Sequence, residues 1–136
     1  MQLKSYTNLE QSKKLAEFLP LESADMFWES NLNSSDRQYL LDMGKEEHFN
    51  IETNFEHYEI EDYDIPAWSL AALIDIIENI DKRQKVEVSF TYNGGKYWID
   101  IHFSEFGSFC QDHELYDSKV DALVVMIEKF KNRGLL

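Results

Sequence analysis

The sequence predicts an α+β protein: a single two-layer domain, with about three helices packed on one face of an antiparallel sheet. Three observations lead there. Apolar residues alternate strictly on both sides of Asn93-Gly94-Gly95, the pattern of a β-hairpin that folds back on itself. Apolar residues recur at helical spacing over 70–80 and 120–130, and more briefly over 15–19. The 136 residues contain no internal repeat, low-complexity tract or linker, so 1–136 reads as one acidic α+β domain.

In chain order, "TNLEQSKKLAEFLP" opens with a capping box in which Thr7 caps the helix and Glu10 reaches back. Leu15, Phe18 and Leu19 form its stripe, and Pro20 ends it. "ADMFWES" (24–30) reads as a strand. "QYLLDM" (38–43) is either its hairpin partner across "NLNSSD" or one turn of helix. Residues 44–56 read as irregular, solvated connection. "HYEIE" (57–61) alternates, which turns Tyr58 and Ile60 inward and His57, Glu59 and Glu61 outward. Pro66 and Ser69 signal the next helix start. Leu70, Leu73, Ile74, Ile77 and Ile80 then supply its apolar stripe, widened by Ile76, with Asp75, Glu78 and Asn79 opposite.

The hairpin "VEVSFTYNGGKYWIDIHF" (86–103) can be checked by parity. A two-residue turn at Asn93-Gly94 pairs Phe90 with Tyr97, Val88 with Ile99 and Val86 with Ile101. A turn at Gly94-Gly95 keeps the same inward set. A three-residue loop would set Lys96 opposite Tyr92 and spoil the apolar face. Glu87, Ser89, Thr91, Trp98, Asp100 and His102 are left pointing outward. The closing helix, "DSKVDALVVMIEKFKNRG", is capped by Ser118 and followed by Gly134. Asp117 and Asp121 sit at its positive end, and Lys129, Lys131 and Arg133 at its negative end. Val120, Leu123, Val124, Ile127 and Phe130 form its buried stripe.

Pro66-Ala67-Trp68-Ser69-Leu70, the hairpin, and Asp121-Ala122-Leu123 in the closing helix together resemble a group of small acidic proteins of gut bacteria. That group is of unknown function and is often encoded in prophage-like or mobile regions. The likeness covers most of the chain. It implies a mobile-element context and transfers no catalytic residue.

Composition narrows the function classes. The apolar share of 43% is that of a globular chain. The net charge of -13 repels nucleic acid phosphates and anionic membranes, so neither is expected as a direct partner. No apolar stretch approaches the roughly 20 residues of a membrane span. "MQLKSYTNLEQSKK" lacks the apolar core of a signal peptide, and the lone Cys110 can form no internal disulfide; both readings lead to a cytoplasmic protein. The charge is also uneven. No Lys or Arg falls between Lys45 and Lys82, a span that holds eleven Asp and Glu.

Among chemical motifs, GxGxxG, GxxxxGK[ST], HExxH, GxSxG and CxxC are all missing from the sequence. "HFSEFGSFCQDH" brings His102, Glu105, Cys110 and His113 close in sequence and is the basis of an alternative reading, a small enzyme or metal-binding protein. Only Cys110 and His113 keep zinc-ligand spacing, and no second pair matches them. A buried Cys between aromatics accounts for the segment better. His57, Glu59 and Glu61 would stand about 7 Å apart along one strand face, too far for one cation without sharp convergence. Close carboxylate pairs arise by chance in so acidic a chain and indicate no glycosidase.

The reading preferred from the residues is a non-catalytic protein-binding module with no cofactor and no metal. Glu56, Glu59, Glu61, Asp62, Tyr63 and Asp64 are its candidate contacts for a basic protein surface. Aromatics such as Tyr58 and Tyr63 among carboxylates suit arginine. Trp98, outward on the hairpin, is either covered by a loop or a contact anchor, while Trp68 is expected in the core. At its most specific the module is an inhibitor or DNA mimic, with carboxylates in place of phosphates. Self-association through strand edges at 24–30 or 57–61 is a further expectation. The oligomeric state stays open.

Overall fold

The structure, a computed structural model, describes residues 5–30, 49–53, 64–105, 107–109 and 114–136. The chain has the expected α+β class: three α-helices and six strands among the described residues, with the strands in two antiparallel three-stranded sheets. It divides into two compact units, residues 6–69 and residues 1–5 with 70–136.

In the first unit, helix α1 (Leu9–Ala16) is capped by Asn8, one residue later than the sequence suggests. The Asn8 side chain accepts from the Gln11 N–H at 2.8 Å, and Gln11 Oε1 accepts from the Asn8 N–H at 3.0 Å. Thr7 is displaced from the capping role because its hydroxyl is buried and accepts the Trp68 N–H at 3.1 Å. Strand β1 (Met26–Ser30) is central, flanked by β2 (Phe49–Glu52) and β3 (Ile65–Ala67). Met26, Trp28, Phe49, Ile65 and Ala67 form one apolar cluster with Leu9 of α1. Phe27, on the other face, is buried too.

Three expectations are corrected here. The edge of 24–30 is not open for self-association, because β1 has a neighbour on each side. Residues 49–52 form a strand within the stretch read as irregular; Phe49 faces inward and Ile51 sits half-buried beside that cluster, while Asn50 and Glu52 stay exposed. Pro66 belongs to β3 rather than to the helix start, and Ser69, directly before that helix, directs its backbone N–H and hydroxyl to the Asp25 carboxylate. The expected elements at 38–43 and 57–61 lie outside the described residues.

In the second unit, helix α2 (Leu70–Glu78) buries Leu73 and Ile77. The hairpin of β4 (Val86–Asn93) and β5 (Lys96–Phe103) pairs Phe90 with Ile99, Val88 with Ile101 and Val86 with Phe103. The turn is therefore Gly94-Gly95, the second of the two registers considered. Both glycines carry positive φ, 61° and 89°, as the favoured two-residue hairpin turn demands at both positions. Strand β6 (Gly107–Phe109) completes the order β4-β5-β6. Helix α3 (Lys119–Asn132) is capped by Ser118, which accepts from Asp121 N–H at 3.0 Å. Its predicted stripe is buried, and Ala122 and Met126 bury a second face. Helices α2 and α3 pack against the hairpin on the side carrying Ile99, Ile101 and Phe103, with Phe103 and Phe130 edge-to-face at 6.4 Å.

Candidate functional site

The outer face of the hairpin follows from register alone. Thr91 stands opposite Trp98, Ser89 opposite Asp100 and Glu87 opposite His102. Glu87, Ser89, Thr91 and His102 are exposed, while Trp98 and Asp100 are half-buried. Trp98 thus occupies the outward position expected of it, with its indole partly withdrawn from solvent.

At the start of β4, Lys85 Nζ reaches Glu87 Oε1 at 2.8 Å. That hydrogen bond, and then the lysine charge, hold the Glu87 carboxyl below its ordinary value and the Lys85 ammonium above its own. In the preceding turn, Arg83 and Gln84 donate to the Asp81 carboxylate at 3.0–3.2 Å and hold it well below the usual carboxylate range. Between the end of α2 and the edge of β4 lies an open groove of about 430 Å³, lined by Glu78, Asn79, Lys85, Val86, Glu87, Val88, Ser89 and His102. Sequence reasoning missed this groove. Alternation identifies a strand and its faces, but it says nothing of which hairpin strand lies at the edge of the sheet.

Of the acidic row expected to meet a partner, Glu56, Glu59, Glu61, Asp62 and Tyr63 lie outside the described residues. Asp64 lies within them and is 8% exposed, so its side chain belongs to the interior. Of the residues of the alternative reading, His102 and Glu105 are exposed, and the Glu105 N–H donates to Gln84 Oε1 at 2.9 Å. Cys110 and His113 lie outside the described residues. Among the described residues, no three or more His, Cys, Asp or Glu side chains are grouped to hold a metal ion. Trp68 is core, fully buried, with its indole N–H donating to Ser23 Oγ at 2.9 Å.

The two units divide the charge unequally. Residues 6–69 carry 4 Lys and Arg against 15 Asp and Glu, a net of -11; residues 1–5 with 70–136 carry 9 against 11, a net of -2. Even if every cation of the first unit met a carboxylate, eleven negative charges would stay uncompensated within it. No helix among the described residues is long and apolar enough to cross a membrane. Compared with protein-family models, with curated proteins and with solved structures, the chain matches none.

Proposed function

We propose that this protein is a non-catalytic binding module that acts in the cytoplasm and docks through its acidic unit, residues 6–69, on a basic surface of another protein. The observation that carries the reading is the division of charge, -11 in that unit against -2 in the other. A potential of one sign concentrated on one unit steers a partner of the opposite sign and sets its orientation. In its most specific form the partner is a nucleic-acid-binding protein whose phosphate-contacting cations meet carboxylates instead. The likeness to small acidic proteins from mobile regions of gut bacteria fits an inhibitor of that kind.

The test uses the full chain as an immobilised bait at low salt, followed by a salt gradient on whatever basic protein it retains. Retention should fall steeply between about 0.05 and 0.5 M salt, as the screening length shrinks below the size of the contact. Combined Glu56→Gln, Glu59→Gln, Glu61→Gln and Asp62→Asn substitutions should weaken it about tenfold or more. Retention that ignores salt, or is equal for the neutralised variant, would refute the reading.

A further inference from the structure

We propose that Asn93 is a site of spontaneous covalent modification, at which the tip of the hairpin converts a neutral side chain into a carboxylate. The chemistry belongs to an asparagine whose following residue leaves its amide nitrogen uncrowded. That nitrogen, on losing its proton to solvent, attacks the side-chain Cγ. The N–Cγ bond forms, the Cγ–Nδ2 bond breaks, and the side-chain nitrogen departs as ammonia. Water then opens the resulting five-membered succinimide at either carbonyl, giving aspartate or the isoaspartate whose main chain runs through Cγ. Nothing is oxidised or reduced, and water is the one co-reactant. Attack within one chain carries the proximity advantage that separate reactants lack.

Of the eight asparagines in the chain, Asn93 alone precedes a glycine. The structure separates it from the others further. Asn8 accepts from the Gln11 N–H at 2.8 Å, and Asn79 Nδ2 donates to the Asp75 carbonyl at 2.8 Å, so both side chains are engaged. Asn93 is exposed, and among the described residues its side chain makes no hydrogen bond. Among the same residues nothing accepts from the Gly94 N–H, and a Cβ added at Gly94 would meet nothing within 4 Å. The attacking nitrogen is therefore free and open to solvent. The ladder is the restraint. Asn93 ends β4 opposite Lys96, and its extended backbone keeps the Gly94 nitrogen away from Cγ. Only that last pair has to open, and turn tips open at the low end of a protein's local stability.

The two products differ in effect. Aspartate sets a carboxylate opposite Lys96, whose Nζ already lies 3.5 Å from Asp117, and keeps the ladder. Isoaspartate inserts an extra main-chain atom before Gly94 and upsets the register that the two-residue turn sets.

The test holds the full chain, folded, at a series of mildly acidic to mildly alkaline pH values, then digests it and follows each asparagine peptide by mass. Chromatography separates isoaspartate from aspartate. The peptide holding Asn93 should exchange an amino group for a hydroxyl about tenfold or more faster than those holding Asn8 and Asn79. The rate should rise about tenfold per pH unit, as the deprotonated fraction of a weak acid does below its pKa. An Asn93→Gln variant, whose ring would need six members, should stay unmodified over the same period. In the isoaspartate product, amide exchange at Lys96 should quicken as its pairing is lost. A rate at Asn93 no greater than at Asn8 and Asn79, or one indifferent to pH, would overturn the proposal. So would modification confined to chain unfolded in urea, because the folded tip would then be closed to the reaction.

Discussion

The two units solve the same problem with opposite chemistry. Residues 6–69 are strongly charged, and they hold all three buried polar residues found among the described residues: Thr7, Ser12 and Asp64. Residues 70–136 are nearly balanced in charge, and their described buried residues are apolar or aromatic throughout. If negative charge served only to keep an aromatic-rich chain in solution, the hairpin unit would need it equally, since both units bury large apolar side chains. Concentration in one unit argues for a local use. The buried hydroxyls of the same unit have a separate effect. Trp28 Nε1 donates to Ser12 Oγ at 3.2 Å and to the Thr7 carbonyl at 3.3 Å, while the Thr7 and Ser12 hydroxyls meet at 2.7 Å. These bonds fix how α1 sits on β1, a specificity that apolar packing alone supplies less sharply.

The largest effects should come from the two cores. Phe130→Ala removes a fully buried ring and its edge-to-face contact with Phe103, at a cost of about 3–5 kcal/mol. Trp68→Ala should cost about as much in the acidic unit, since it also takes away the indole donor to Ser23. Urea unfolding of each variant measures both. A loss below about 1 kcal/mol for either would mean that the site had collapsed around the gap and that the side chain is no anchor.

A smaller effect separates the two cores by kind. Ser12→Ala deletes the hydroxyl that Trp28 and Thr7 share, leaving a buried polar group short of a partner, and should cost about 1–3 kcal/mol. Ala122→Ser in α3 introduces a hydroxyl at a fully buried position, and its penalty should be of similar size. If Ser12→Ala were neutral, the hydrogen-bonded arrangement of the acidic unit would be incidental and the contrast between the cores would fail.

How far the sequence could be read follows the same division. In the hairpin unit, periodicity alone located the two helices and the two strands of the hairpin, though not the three-residue β6, and it limited the turn to two positions. The remaining choice fell to Gly94-Gly95, where both residues tolerate positive φ. In the acidic unit, local signals competed with long-range ones. Thr7 looks like a cap by spacing, but its hydroxyl faces Trp68, 61 positions away. Pro66 looks like a helix start, but pairing with Phe27 makes it part of a strand. Strand β2 is only four residues long, with Phe49 and Ile51 as its sole apolar positions, so alternation had too little length to register. For the candidate site, Trp98 was legible by parity. The interior position of Asp64 and the groove along β4 depend on tertiary neighbours that no local pattern encodes.

The smallest effect concerns acid. Asp81 and Glu87, both in the hairpin unit, have carboxyls held below their ordinary values by donors in the folded state: Arg83 and Gln84 for the first, Lys85 for the second. A carboxyl whose folded value is depressed favours folding at pH above its unfolded value, and that contribution fades as pH falls through the folded one. For Glu87 the loss begins as pH drops below 4.5, and for Asp81 below 3.8, continuing further down because its value is lowered more. Asp81→Asn and Glu87→Gln should therefore each flatten the acid side of the urea midpoint measured between pH 5 and pH 3, with the larger change at Asp81, where two side chains donate. Salt should diminish the Glu87 part first, because both members of its pair are well exposed, 75% for Lys85 and 57% for Glu87. An acid limb identical in both variants would mean that these bonds persist or re-form in the unfolded chain, and that the acid response of the protein comes from the crowded carboxylates of residues 6–69 instead.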